Sequence, residues 1–148
     1  MNLAVLTIFL AALGGAGLAL QAPTNAMLGR AAGSAANAAL ISFLVGSAAL
    51  GVFCLIARAR PDGAALRALP WYAWSGGIYG AFFVAVAAFG APRIGVGALL
   101  TAAVAGQLAT GVLLDHLGAL GLERHPANLT RMAGLALVVA GAALVRRG

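Results

Sequence analysis

The sequence predicts an all-α membrane protein with five transmembrane helices, organised as a single domain over residues 1–148. Three observations predict it. Apolar residues make up 63% of the chain and charged residues 8%, against roughly half and a quarter in an average soluble domain, so there are too few polar side chains to coat a globule in water. Nearly all of the chain falls into apolar stretches near the ~20 residues of helix that cross a hydrocarbon core. The nine basic residues are all arginine and stand where those stretches end, the place where cations anchor and orient a span. Irregular backbone leaves amides unpaired in lipid, and the alternation of a membrane barrel is absent, so the spans are helices.

The first span covers about residues 2–28. It lacks the charged lead-in of a cleaved signal, and GLALQAPTN offers no small-x-small cleavage site, so it is expected to stay as a membrane helix. Pro23 cannot donate to the carbonyl of Ala19, and the helix is expected to kink or open there. Gly17, Gln21 and Asn25 fall four apart and share one face. Amides beside a glycine- and proline-interrupted stretch resemble the way transporters build a midplane site; hydrogen bonding between helices is the other use for them.

The connection GRAAGSAA leads to the second span, about 37–57, where Ser42, Gly46 and Ala49 share a face and the lone Cys54 is a small packing residue. After RARPDGAALRALP the third span runs over about 71–90. It opens on Trp71, Tyr72 and Trp74, which suit a headgroup-level aromatic belt better than stacking on a substrate; Gly76 and Gly80 follow on one face. The segment APR is read as the link to the fourth span, about 95–116, and LGALGLERHPA as the link to the fifth, about 129–145, with Gly134 and Gly141 two turns apart. Stripes of small residues let helix backbones approach and predict a compact bundle, although a chain this rich in glycine and alanine also produces such spacings by chance.

In the fourth span Ala103, Gln107, Gly111 and Asp115 form a second row at spacings of four. Gln107 lies near mid-helix, where an amide must find a partner or face water. Asp115 sits within a turn of the helix end, as a proton or cation coupling group, or as a surface carboxylate that is solvated or paired with Arg131; its place near the interface favours the surface role. No carboxylate lies near the middle of any span, which argues against a proton-coupled exporter of organic cations. The candidate solute-binding residues are therefore Gln21, Asn25 and Gln107, with Asp115 as a possible coupling site. No nucleophile and base pair, metal-spaced His/Cys set or phosphate loop appears, so neither an enzyme nor a cofactor or metal is expected. Nor do dispersed arginines make a nucleic-acid surface.

Five spans put the termini on opposite sides. Arg58, Arg60, Arg67, Arg124 and Arg131 fall on the amino-terminal side and Arg30, Arg93, Arg146 and Arg147 on the other. Five against four is a weak orientation signal, so insertion in both directions is expected.

The segments QAPTNAMLGRAAGS, NAALISFLVGS, PWYAWSGGIYGAFFV, GVGALLTAAVAGQLATGVLLDHLGALGL and LTRMAGLALVVAGAALV, in this order over nearly the whole chain, resemble the YdcZ-like family of the drug/metabolite transporter superfamily. The resemblance implies a five-helix bacterial inner-membrane protein, in a family that occurs as dual-topology chains, as oppositely oriented pairs and as fused ten-helix forms. It implies an antiparallel two-subunit, ten-helix bundle with transport as its function and an unknown small-molecule substrate. The partners would be the lipid bilayer and a second copy, or an oppositely oriented paralogue; an accessory membrane protein that carries nothing is the alternative. The polar positions matching the family's blocks are Gln21, Asn25, Gln107 and Asp115. The stretch GSAANA departs from the family, where a proline is common.

Overall fold

The computed structural model describes residues 2–147. They are all-helical in architecture. Five helical stretches are long and apolar enough to cross a membrane: Leu3–Ala31, Ala35–Ile56, Trp71–Ile94, Val96–Leu117 and Leu129–Arg147. The chain forms two compact units, Met1–Pro92 and Arg93–Gly148.

In the first unit α1 (Leu3–Ala31) starts at Asn2, whose side chain accepts from the Ala4 amide at 3.1 Å. Of the kink or opening expected at Pro23, the opening does not occur: α1 runs unbroken through it. The physical reason lies next door. Pro23 deprives only the Ala19 carbonyl of its donor, and the Thr24 hydroxyl adds bonds to the next two carbonyls, those of Leu20 and Gln21, at 3.1 and 3.0 Å, as serine and threonine commonly do around helix-breaking residues in membrane helices.

The connection to α2 (Ala35–Ile56) is shorter than GRAAGSAA suggests, because alanine and arginine are strong helix formers and extend both helices. Only residues 32–34 are left between them. Gly33 takes φ +82°, a conformation glycine adopts without a Cβ penalty. Ser34 caps α2 by accepting from the Asn37 amide at 3.0 Å, and the Asn37 side chain donates back to the Ala32 carbonyl at 2.7 Å. Two helices joined this tightly pack together as a hairpin.

Beyond α2 a five-residue helix, α3 (Gly63–Arg67), begins at Asp62, whose carboxylate accepts from the Ala64 and Ala65 amides at 2.9 and 3.3 Å. A single 3₁₀ turn over Trp71–Trp74 follows Pro70 and leads into α4 (Gly76–Ile94). The edge-on contact of Trp71 and Tyr72, with centroids 6.1 Å apart, orders the aromatic cluster that opens this span. Gly80 of α4 faces Phe43 of α2: a Cβ at Gly80 would lie 3.2 Å from the end of that ring. The buried residues of this unit are almost all small, with Ala22, Asn25 and Ala26 on α1, Ala38 and Ala39 on α2, and Val84, Ala87, Ala88 and Ala91 on α4.

The segment APR, expected as a loop, is helical, and α4 continues through Pro92 to Ile94. A proline deprives only one carbonyl of its donor, here that of Ala88. The break falls instead at Gly95, at φ 79° and ψ 151°, a region open essentially to glycine alone.

In the second unit α5 (Val96–Leu117) and α6 (Leu129–Arg147) pack against each other. They run antiparallel: Gly97 at the start of α5 faces Val145 at the end of α6, while Asp115 near the end of α5 meets Arg131 at the start of α6. Gly118 ends α5 in the left-handed conformation at φ +61°. A Cβ there would also lie 3.3 Å from the Cβ of Arg124, so the loop can fold back over the helix end only past a glycine.

Candidate functional site in the second unit

Between α5 and α6 runs an open groove of about 570 Å³, a size ordinary for small-molecule sites. Its α5 wall is the stripe Val104, Gln107, Leu108, Gly111, Val112 and Asp115, which the 3.6-residue period puts on one face. Arg131, Gly134 and Leu135 of α6 form the other wall. Glycine on each side keeps the groove open.

One end of the groove is charged. Arg131 pairs with Asp115 through Nη2 to Oδ2 at 3.1 Å, with both side chains 35% exposed. The pair is held by the loop. Arg131 Nη1 donates to the His125 carbonyl at 3.1 Å, and the Arg131 amide donates to the Asn128 side chain at 2.9 Å. The His125 amide in turn donates to the Asp115 carbonyl at 2.8 Å. Arg124 Nε donates to the His116 carbonyl at 3.0 Å, and His116 Nδ1 accepts from the Ala127 amide at 3.1 Å. Thus His116 and Arg124 tie the loop over the end of α5 and fix where Arg131 stands in the first turn of α6.

The pair does not exhaust its partners' capacity. A guanidinium carries five N–H donors and a carboxylate two oxygens; among the described residues Asp115 Oδ1 accepts no hydrogen bond, and only Nη1 and Nη2 of Arg131 donate. Gln107 lies eight residues, a little over two turns, deeper on α5, about 12 Å along the axis from Asp115 at 1.5 Å per residue. It is exposed, and its side-chain amide bonds to no other described residue. The groove therefore offers a fixed charge pair at one end, a free amide near the other, and aliphatic walls between.

Of the residues singled out from the sequence, Gln107 and Asp115 come together in this groove, with Gly111 between them; Ala103, in the same row, is replaced on the lining by Val104. Gln21 and Asn25 belong to the first unit. Gln21 is half-buried, while Asn25 is 2% exposed and its Nδ2 donor has no hydrogen-bond partner. Arg131 was foreseen only as a partner for Asp115. Its spacing of three and four to Gly134 and Leu135 was the available signal that all three share a face.

Residues 6–144 match the model of a protein family described as "Putative inner membrane exporter, YdcZ". No curated protein and no solved structure matches the chain.

Proposed function

The chain belongs to the YdcZ family and is a multi-pass inner-membrane protein of the transporter type; from that premise we propose that it is a subunit of a small-molecule exporter whose solute lies in the α5–α6 groove. The groove itself carries the reading. Gln107 within the span, with Asp115 and Arg131 at its interfacial end, presents an amide and two opposite charges to one open space, and polar groups of membrane helices that face a common cavity mark solute paths. Opposite charges with spare hydrogen-bonding capacity suit a zwitterionic or neutral polar solute better than a bare cation.

The working unit we propose is an antiparallel homodimer of five-helix subunits, or a pair with an oppositely oriented paralogue, related by an axis in the membrane plane and exchanging between equivalent states to give alternating access. Open glycines support it. At Gly14, Gly15 and Gly17 of α1, Gly46 of α2, and Gly141 of α6, an added Cβ would meet nothing within 4 Å. Glycine facing lipid contributes no packing, whereas glycine facing another helix lets it approach closely. In such a dimer Gln21 and Asn25 add their amides to the path.

Counterflow in proteoliposomes tests the reading, using purified protein and a panel of radiolabelled zwitterionic and neutral solutes. Saturable exchange that a Gly111→Leu variant loses is the expected result. A protein that exchanges no member of the panel, yet stabilises a larger membrane complex, is the accessory protein instead.

A further inference from the structure

The α5–α6 groove is unlike a site for a wholly polar solute. Between the Asp115–Arg131 pair and Gln107 its walls are Leu108, Val112 and Leu135, and Val104 lies a turn beyond Gln107, so a small polar molecule at the charged end leaves most of the groove without polar contact. An occupant that fills it needs a charged head and an apolar body about 12 Å long, the rise of eight helical residues. The head must satisfy both partners: an ammonium for the unused Oδ1 of Asp115, and an anionic oxygen for the unused donors of Arg131, which suit phosphate as well as carboxylate. The groove is open, on helices that cross the membrane, so a ligand drawn from the leaflet can enter it.

We propose that the groove binds a zwitterionic amphiphile drawn from the surrounding leaflet, with an ammonium and a phosphate at its head and a single alkyl chain along the aliphatic walls. The inference rests on the reading of this groove as the solute site and names the class of that solute. Asp115 selects the ammonium, Arg131 holds the phosphate, and Gly111 leaves room for the chain.

The test is equilibrium binding to the purified full chain in a non-ionic detergent, followed by calorimetry. The probes are a twelve-carbon lysophosphatidylethanolamine, the lysophosphatidylglycerol of the same chain, and phosphoethanolamine. The ethanolamine lysolipid is expected to bind at least about tenfold more tightly than either of the others, since the second lacks the ammonium and the third the chain, a difference worth about 1.4 kcal/mol. Asp115→Asn should erase the preference for ethanolamine over glycerol. Gly111→Leu should weaken lysolipid binding at least tenfold; a Cβ at Gly111 meets nothing within 4 Å, and elution volume and circular dichroism check that the variant folds. Equal binding of the two lysolipids, or undiminished binding to Gly111→Leu, overturns the proposal. Phosphoethanolamine binding as tightly as the lysolipid also overturns it but leaves export of a small zwitterion standing, whereas tight, selective lysolipid binding without any lysolipid counterflow keeps the site and removes the transport.

Discussion

The Asp115–Arg131 pair allows a quantitative prediction. At 3.1 Å two unit charges attract by about 5 kcal/mol at an effective dielectric of about 20, but that figure takes no account of what the ions lose on leaving water. With each side chain 35% exposed, the pair stands between exposed pairs, worth about 0.2–1 kcal/mol, and buried ones, where removing one partner costs about 3–5 kcal/mol. Arg131 also has a route out, because its long stem can carry the guanidinium to the interface when Asp115 is gone. The coupling between the two side chains should therefore be about 1 kcal/mol. A double-mutant cycle of Asp115→Asn, Arg131→Gln and the double variant measures it, by reversible denaturation in mixed micelles. A coupling below about 0.3 kcal/mol would mean the pair does not persist in the folded protein; one above about 3 kcal/mol would mean the groove is closed and dry. Either result refutes an open groove with a fixed charge pair at its mouth.

Three further outcomes follow from particular residues. The near balance of arginines across the membrane, five against four, predicts that carboxyl-terminal tags report both orientations in comparable amounts; one orientation in more than about nine tenths of molecules removes the homodimer in favour of a paired partner. For a small polar solute, Gln107→Leu and Gln21→Leu should each weaken binding or transport at least about tenfold, roughly 1.4 kcal/mol, without breaking the dimer, and variants that transport normally but dissociate in detergent would make the amides interhelical glue. Gly95→Ala should destabilise the chain by about 1–3 kcal/mol, because φ 79° with ψ 151° is a conformation alanine adopts only under strain; thermal unfolding of that variant at the wild-type temperature would show that the backbone there is not held as described.

Most of the fold was legible because lipid allows so few solutions: an apolar run of sufficient length must be a helix, and five such runs were readable from composition. The errors share one cause. An opening was one outcome expected at Pro23 and APR was read as a link, yet each proline removes only one donor, and the Thr24 hydroxyl adds bonds to the two carbonyls after the one that Pro23 deprives. Similarly, Ala31 and Ala35 are helical because only Gly33 and Ser34 carry turn and cap chemistry between them. The helix α3 follows the Asp62 cap and is too short to show a period. At the site, the spacing of four on α5 placed Gln107 and Asp115 on one face, but which face meets α6 depends on packing between helices. Hence Val104 lines the groove and Ala103 does not, and Gly134 and Leu135 joined it unannounced.

Asn25 supplies the last prediction, because its buried amide has a donor to spare. It is 2% exposed, and its Nδ2 donor meets no acceptor. A buried donor left unpaired costs about 1–3 kcal/mol, and an apolar interior offers no water to relieve it. Selection for stability alone favours alanine here, as at its neighbours Ala22 and Ala26, which are buried on the same helix. In a transporter the cost has a use: a donor unsatisfied in one state is satisfied by solute in the other, and so favours the loaded, opened form. Asn25→Ala should then leave the thermal stability of the solute-free protein unchanged or raised by up to about 1 kcal/mol, since it removes the unpaired group. The same change should lower exchange in proteoliposomes at least about fivefold, close to 1 kcal/mol. Destabilisation of the solute-free protein by more than about 2 kcal/mol, with exchange per folded molecule intact, would show that the amide has a structural partner within the protein and no part in the solute path.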